Sequence, residues 1–221
     1  MTGSVPGATK ASGGNTVGEP SRRRVGRPRE ADSEQTRRLI LTTAIAAFAR
    51  SGFRGTTLRE LSDAARLTRG TLHHYFATKE VLYAAAFQNA VEGVYDRFNE
   101  VLARHDGLNA RLRALLDVMI DPSAKNRDQV TMILRGWIDQ DSLDISLQVP
   151  PIVERTLRRI GDDAVTNGEI QPHDVEFLLA TFRSMAWGIV IIELNQQGGR
   201  PDNAIEGLSR ILDGTLLTRR D

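Results

Sequence analysis

The sequence predicts an all-α fold in two parts, a three-helix helix-turn-helix domain joined to a larger helical domain. Apolar residues recur at spacings of three and four along most of the chain, and no useful length alternates as a β-strand would. Residues that suit helix starts, and glycines and prolines that suit helix ends, divide the 221 residues into helix-sized pieces. These points predict an arm over residues 1–32, the helix-turn-helix domain over 33–80 and the larger domain over 81–221.

Charge is distributed unevenly along the chain, whose formal net charge is only +1. Residues 1–80 contain 14 Lys+Arg and 7 Asp+Glu, a net of +7, and residues 81–221 contain 15 and 21, a net of −6. A basic N-terminal third indicates a polyanionic partner, although a solvated tail without a target has the same composition. The lack of cysteine excludes a disulfide scaffold, a thiolate zinc site and a cysteine nucleophile.

The N-terminal arm consists of two different stretches. Residues 1–21 are small, polar and rich in Gly and Pro, so we expect them to be disordered, and they lack the apolar segment of a secretory signal. The following RRRVGRPRE, residues 22–30, carries Arg27 and Arg29 in a Gly-Arg-Pro-Arg core. Extended arginine segments of this kind contact phosphates or enter a DNA minor groove. We therefore predict DNA contacts from Arg27 and Arg29, with a solubilising tail as the alternative.

Two helices are predicted after the arm. The first begins at Ser33, capped by Asp32 or Ser33, and ends at Gly52, which provides a left-handed stop. TLRE, residues 57–60, has the spacing of a capping box, in which the threonine hydroxyl and the glutamate carboxylate exchange bonds with first-turn amides. This box opens a short second helix that ends near Arg66.

A third helix follows after about three residues, and this short gap is typical of a helix-turn-helix motif. It lies in LTRGTLHHYFATKE, residues 67–80, where Leu72 and Phe76 are four residues apart and form a buried stripe. The opposite face gathers residues that hydrogen-bond a phosphate or a base edge, together with a glycine that permits close approach. These residues are Arg69, Gly70, Thr71, His73, His74 and Tyr75, with the caps Thr68 and Thr78 and with Lys79 at the start of a fourth helix.

Neither a metal site nor a catalytic site is predicted in this stretch. His73 and His74 are adjacent, so their side chains diverge by about 100° around a helix. The other two histidines, His105 and His173, are isolated, and the sequence contains no nucleophile elbow, phosphate loop or HExxH motif. We therefore expect the chain to hold no metal or cofactor and not to be an enzyme.

The order of residues in this region resembles the N-terminal signature of the TetR family of transcriptional repressors. The resemblance covers about residues 36–83 and rests on FARSGFRGTTL (48–58), LSDAA (61–65), TRGTLHHYF (68–76) and KE (79–80). Arg66 stands where the family usually has a turn glycine, so either it adopts that turn without glycine's freedom or the turn is slightly different. His73 stands where the family often has tyrosine, which makes it a candidate for a different operator preference.

The resemblance implies an Ω-shaped homodimer that represses transcription by binding a palindromic DNA operator, and that a small-molecule effector releases. The third helix would lie in the major groove, while Thr57 and Lys79 would reach phosphates. Carried over to this sequence, the DNA-binding residues are Thr57, Thr68, Arg69, Gly70, Thr71, His73, His74, Tyr75 and Lys79. A DNA-binding regulator without an effector and a protein–protein adaptor are the alternatives. The expected location is the cytoplasm, at the nucleoid.

The larger domain is predicted to contain helices at about 79–104, 108–120, 126–140, 148–167, 173–197 and 202–217. Its most apolar run, residues 185–192, is far shorter than the ~20 residues that cross a bilayer, so no membrane partner is expected. The last two helices carry apolar stripes that suit a homodimer interface, with a monomer core as the alternative. The candidate interface residues are Phe177, Thr181, Ser184, Gly188, Ile192, Leu208, Ile211 and Leu212.

An effector pocket is also predicted in the larger domain. Two clusters of aromatic and methionine residues are candidates, and one arginine beside them is available to an anionic ligand. Ordinary core packing produces the same pattern and remains open. The candidate pocket residues are Met132, Arg135, Trp137, Phe182, Met185 and Trp187.

Overall fold

The computed structural model describes residue 1 and residues 29–143, 145–195, 206–208 and 210–211. Within these residues all regular structure is helical, as the sequence predicts. The elements are α1 (Arg29–Ser51), α2 (Leu58–Ala64), α3 (Arg69–Tyr75), α4 (Lys79–Leu102), α5 (Leu108–Met119), α6 (Ala124–Leu143), α7 (Pro151–Thr166), a 3₁₀ turn (Pro172–Asp174) and α8 (Val175–Asn195). Residues 206–208 and 210–211, inside the predicted last helix, are also helical.

α1 begins earlier than predicted. Its first residue is Arg29, so Asp32 and Ser33 lie inside the helix, and the prediction that either of them caps it is wrong. Acidic residues favour the positive end of the helix dipole, and the sequence has them at positions 30, 32 and 34. This acidic stretch explains why the helix extends four residues further towards the N-terminus.

The predicted capping box of α2 is present. The hydroxyl oxygen of Thr57 accepts a hydrogen bond from the Glu60 amide at 3.2 Å, and Oε2 of Glu60 accepts one from the Thr57 amide at 2.8 Å. Thr68 and Thr78 cap α3 and α4 in the same way, through amides three residues further on. Local side-chain chemistry therefore sets the starts of these three helices.

Helices α1 to α3 share an apolar core with the beginning of α4. Leu72 and Phe76, the predicted stripe of α3, are 1% and 3% exposed. They pack with fully buried residues of the neighbouring helices, which are Ile40, Leu41, Ala44 and Phe48 of α1, Leu61 of α2, and Leu82 and Tyr83 of α4. This core fixes the position of α3 relative to α1 and α2.

Two left-handed residues shape the turns on either side of α2. Gly52 has a φ of +69° and ends α1 as predicted. Arg66 has a φ of +55° in the turn between α2 and α3, so it adopts the geometry that the family pattern usually gives to glycine. For a residue with a Cβ this conformation costs about 1–2 kcal/mol.

We expect Arg66→Gly to raise the free energy of unfolding by about 1 kcal/mol, because glycine adopts this φ without a Cβ clash. Part of the gain is lost to the greater freedom of glycine in the unfolded chain. Urea unfolding measures the change. Arg59→Gly is the matched control, since Arg59 is an exposed arginine inside α2 and glycine there should destabilise by up to about 1 kcal/mol. Equal effects of the two substitutions would contradict backbone strain at Arg66.

α4 is the central helix of the larger part and packs against α1, α5, α6 and α7. α6 in turn packs against both α1 and α4. Nε of Arg135, on α6, donates a hydrogen bond to the carbonyl oxygen of Ala49 at 2.8 Å, near the end of α1. The hydroxyl of Tyr83 donates to Oδ2 of Asp139 at 3.0 Å, and burial, together with that carboxylate, raises the pKa of Tyr83. These two bonds join α6 to α1 and to α4.

Later helices start at slightly different places from the predictions. α6 begins at Ala124 rather than residue 126. α7 begins at Pro151 rather than residue 148, because proline suits the first turn of a helix. Apolar character also extends beyond residues 185–192. In the described part of the chain one helical stretch, Pro172–Ile192, is long and apolar enough by composition to cross a membrane, with a mean hydropathy of 1.7 and 22% of its apolar window buried.

Candidate nucleic-acid interface and cavity

α3 is anchored along one edge and exposed along the other. Leu72 and Phe76 form the anchored edge, and the half-buried Leu67 packs against the same core. Because each residue turns about 100° around the helix, positions four apart share a direction. The residues that point furthest from the anchored edge are Gly70 and His74, flanked by the exposed His73 and by the half-buried Thr71, while Arg69 is exposed at the start of the helix.

Gly70 has no explanation in the packing of the protein itself. A Cβ at this position meets nothing closer than the hydroxyl oxygen of Thr68, at 3.8 Å. Its φ is not positive, so its backbone conformation does not require glycine. Glycine nevertheless weakens a helix by about 1 kcal/mol relative to alanine. Close approach of another molecule to the exposed backbone is what this glycine permits.

Two side chains of the predicted surface are partly engaged within the protein. Nδ1 of His73 lies 3.2 Å from the carbonyl oxygen of Ala77, which can only accept, so Nδ1 donates in this contact and Nε2 is not engaged by it. Tyr75 is half-buried, and its hydroxyl donates to Oγ of Ser33 on α1 at 3.2 Å. The structure therefore places Tyr75 between α3 and α1, and not on the outermost face beside His74.

Helix starts surround this face with backbone amides and one ammonium group. The hydroxyls of Thr57 and Thr68 are exposed but already bonded within their caps, and the bonds from Thr57 lower the pKa of Glu60, which keeps that carboxylate ionised. Nζ of Lys79 lies 4.2 Å from the centroid of the Phe53 ring, which holds the ammonium at the start of α4. Of the two arm arginines, Arg29 begins α1, and Arg27 lies outside the described residues.

A narrow cavity of about 50 Å³ lies among α4, α5, α6, α7 and α8. Of the candidate pocket residues, Trp137, Phe182 and Trp187 line it, and the two tryptophan rings meet edge to face with centroids 4.7 Å apart. The other three candidates, Met132, Arg135 and Met185, do not line the cavity. Met132 stands five positions before Trp137, so it points about 140° away and is buried on the other side of α6. Arg135 bonds the carbonyl oxygen of Ala49 instead.

Most of the cavity wall was missed from the sequence. α4 contributes Phe87, Val91, Val94, Tyr95 and Phe98, and α8 contributes Arg183. Four of the α4 residues recur at spacings of three and four, which is also the pattern of an ordinary core face. Their apolar periodicity was visible, but nothing in the sequence brings five helices around one space.

The candidate interface residues of α8 fall on one exposed face. Phe177, Thr181, Ser184, Gly188 and Ile192 follow one another at spacings of four, three, four and four. Phe177 is 73% exposed and Ile192 41%, and a Cβ at Gly188 meets nothing within 4 Å. Beyond α8, Leu208 is buried, Ile211 is 47% exposed and Leu212 lies outside the described residues.

Residues 40–86 match the family model for bacterial regulatory proteins of the tetR family. The HTH-type transcriptional repressor KstR2 of Rhodococcus jostii is 31% identical over 84 residues, which are 38% of this chain and 39% of that protein. The repressor AcnR of Corynebacterium diphtheriae is 33% identical over 103 residues, 41% of this chain and 54% of that protein. The matches thus span about half the length of these curated relatives, or less.

Similarity to solved structures extends over more of the chain. A TetR-family regulator from Cytophaga hutchinsonii covers 85% of this chain and 98% of its own, with a TM-score of 0.67 and 20% identity. A TetR regulator from Chloroflexus aurantiacus covers 83% of this chain and 95% of its own, with a TM-score of 0.64 and 25% identity. The signature around α3 matches the TetR family of bacterial regulatory proteins, and the helical fold is similar to that of solved TetR-family regulators.

Proposed function

We propose that this chain is a DNA-binding transcriptional repressor whose α3 enters the major groove of an operator. The observation that carries the proposal is the outer face of α3, where the exposed His73 and His74 lie on either side of a glycine that the fold does not need, with Arg69 exposed at the start of the helix. Residues 33–80 would form the DNA-binding domain, and residues 81–221 would dimerise and bind an effector. The names of the relatives matched in this region, transcriptional repressors, support the assignment.

Phosphate contacts would position α3 in the groove, and base contacts would select the site. Lys79, the amides at the starts of α2 and α3, and the arginines at positions 27 and 29 are suited to phosphates. His74 is suited to a base edge, and so is His73, whose Nε2 is not engaged by the contact with Ala77. In a homodimer the two copies of α3 would meet successive major grooves of a palindromic operator, about one helical turn apart.

Operator selection from random DNA, followed by affinity measurements at several salt concentrations, tests this function. We expect the logarithm of the affinity to fall steeply with the logarithm of salt, by about 0.9 for each neutralised phosphate. His74→Ala should lower specific affinity about tenfold or more and leave the melting temperature unchanged. His105→Ala is the matched control, because His105 is an exposed histidine three residues after the end of α4. A slope near zero, or equal affinity of the two variants, would exclude α3 as the recognition element.

The functional form is a homodimer in which the exposed face of α8 packs against a second copy. This face is apolar, and the hydroxyl of Ser184 is already bonded to the carbonyl oxygen of Ala180, so it requires no partner across an interface. Gly188 leaves room for a close backbone contact. An apolar helix of this length suits either a membrane or a protein partner, and the TetR-like fold around it favours the second copy.

We expect Phe177→Glu to convert the dimer to monomer and to abolish cooperative binding to a palindromic operator, because the substitution buries an unpaired carboxylate in the interface. Analytical ultracentrifugation measures the association state. Ile138→Glu is the matched control, since Ile138 is another exposed apolar residue, on α6. A Phe177→Glu protein that remains dimeric would show that α8 does not form the interface, and binding of the wild type to lipid vesicles would favour a membrane.

The effector would bind the cavity and favour a state of the dimer that no longer fits the operator. Such control requires different affinities of the effector for the two states. A regulator without an effector is the second candidate function, and the observation that favours it is the small volume of the cavity, about 50 Å³. An effector that lowers operator affinity would exclude this second candidate.

A further inference from the structure

The cavity between α4 and α8 has an almost entirely apolar wall. Sixteen of its nineteen lining residues are apolar, and the exceptions are Tyr95, Thr156 and Arg183. No described aspartate or glutamate lines it, so Arg183 is the only charged residue of the wall in the part of the chain that the structure describes. Trp137, Val149 and Arg183 are exposed as well as lining the cavity, which indicates that it opens to solvent beside this guanidinium group.

The three polar wall residues differ in what they can offer a ligand. The hydroxyl of Thr156 donates to Oδ1 of Asn99 at 3.2 Å, so its proton is already used. Burial raises the pKa of Tyr95, and the Arg183 guanidinium is close enough to lower it in part. The Tyr95 hydroxyl therefore stays protonated at neutral pH and lies near a permanent cation. The hydroxyl of Tyr95 and the guanidinium of Arg183 therefore remain available as hydrogen-bond donors to a ligand.

Arg183 also has no charge partner among the residues that the structure describes. A guanidinium group binds carboxylates through paired, charge-assisted hydrogen bonds, which are stronger beside apolar surroundings than in water. A cationic ligand would be repelled at this position, and a neutral one would leave the donors without an acceptor.

We propose that the cavity binds an apolar carboxylic acid, whose carboxylate meets Arg183 and Tyr95 and whose hydrocarbon lies among Phe87, Phe98 and Phe182. This inference rests on the proposed function, because it names the chemical class of the effector. The cavity of about 50 Å³ is too small for such a molecule without movement. Binding therefore selects a state in which the Trp137–Trp187 ring pair at the wall has separated.

Tryptophan fluorescence is a local probe of this binding, because both tryptophans of the chain line the cavity. The full-length protein is titrated with decanoate, 1-decanol and decylammonium, which share a hydrocarbon chain and differ in head-group charge. We expect decanoate to bind at least about tenfold more tightly than decanol, and decylammonium to bind most weakly. Octanoate should bind about fifteenfold more weakly than decanoate, since it buries two fewer methylene groups.

Arg183→Met tests the carboxylate contact. It should lower the affinity for decanoate about tenfold and change the affinity for decanol by less than about twofold, because only the acid uses the guanidinium. Arg158→Met, at an exposed position of α7 outside the cavity wall, is the matched control and should change neither affinity. Analytical ultracentrifugation of both variants checks that the association state is unchanged. Equal affinity of decanoate and decanol for the wild type, equal loss of both in Arg183→Met, or no binding of either, would overturn the inference.

Operator binding by the same protein separates this inference from the proposed function. A protein that binds its operator but not decanoate overturns the ligand class and leaves the repressor in place. A protein that binds decanoate through Arg183 and has no operator supports the ligand class and overturns the repressor. Decanoate that binds and also releases the operator supports both.

Discussion

Gly70→Ala is expected to make the protein more stable and, at the same time, a weaker DNA binder. Alanine should raise the free energy of unfolding by up to about 1 kcal/mol, because Gly70 is helical and exposed and an added Cβ has open space around it. On DNA the same methyl group would occupy the space that an approaching base or sugar-phosphate needs. We expect operator affinity to fall at least about tenfold, as for loss of one base contact.

A rise in stability together with a fall in operator affinity would show that Gly70 lies at the DNA interface and that the substitution does not simply damage the fold. Thermal melting measures stability, and fluorescence anisotropy with operator and unrelated DNA measures affinity. Ordinary destabilising substitutions lower both quantities together. Gly70→Leu, with a larger side chain, should lower affinity further. If Gly70→Ala bound the operator as tightly as the wild type, another surface of the helix would have to face the DNA.

Arg135→Met is expected to weaken the connection between the cavity and the DNA-binding helices. The substitution keeps most of the aliphatic stem but removes the hydrogen bond from Nε to the carbonyl oxygen of Ala49. Loss of a bond from a charged donor in a half-buried position should lower the free energy of unfolding by about 1.5–3 kcal/mol. It should also reduce the effect of a bound effector on operator affinity, because α6 would no longer hold the end of α1.

The two consequences of Arg135→Met are measured separately. Urea unfolding reports stability, and operator affinity with and without a cavity ligand reports coupling. Arg127→Met is the matched control, since Arg127 is an exposed arginine on the same helix. If the ratio of operator affinities with and without the ligand were the same in Arg135→Met as in the wild type, despite lower stability, the effect of the ligand on DNA binding would not pass through this contact of α6.

Local features of this fold could be predicted from the sequence, and contacts between distant segments could not. The stop at Gly52, the capping box at Thr57 and the caps at Thr68 and Thr78 depend on residues within a few positions, and all are present. The left-handed turn at Arg66 is one of the two alternatives that the family pattern left open at this position. The predicted start of α1 was wrong because acidic residues at positions 30, 32 and 34 all suit the first turn of a helix.

Contacts over long sequence separations account for the other differences. Tyr75 was assigned to the outer face of α3 because nothing nearby indicated Ser33, 42 positions away, as its partner. Arg135 was assigned to a pocket because it stands between aromatic residues, and its bond to Ala49 spans 86 positions. Periodicity showed that α6 has apolar faces but did not say which neighbouring helix each face meets.

α6 carries the cavity wall and its contacts with α1 and α4 on opposite sides of one helix. Val130, Ile133 and Trp137 line the cavity, and Arg135 and Asp139 bond residues of α1 and α4 about 120–180° around the axis. Under the proposed function, substitutions on one side would change which effector is bound without touching the other. In such a chain, ligand choice is free to diverge during evolution, or to be re-engineered for a biosensor, while the transmission contacts are retained.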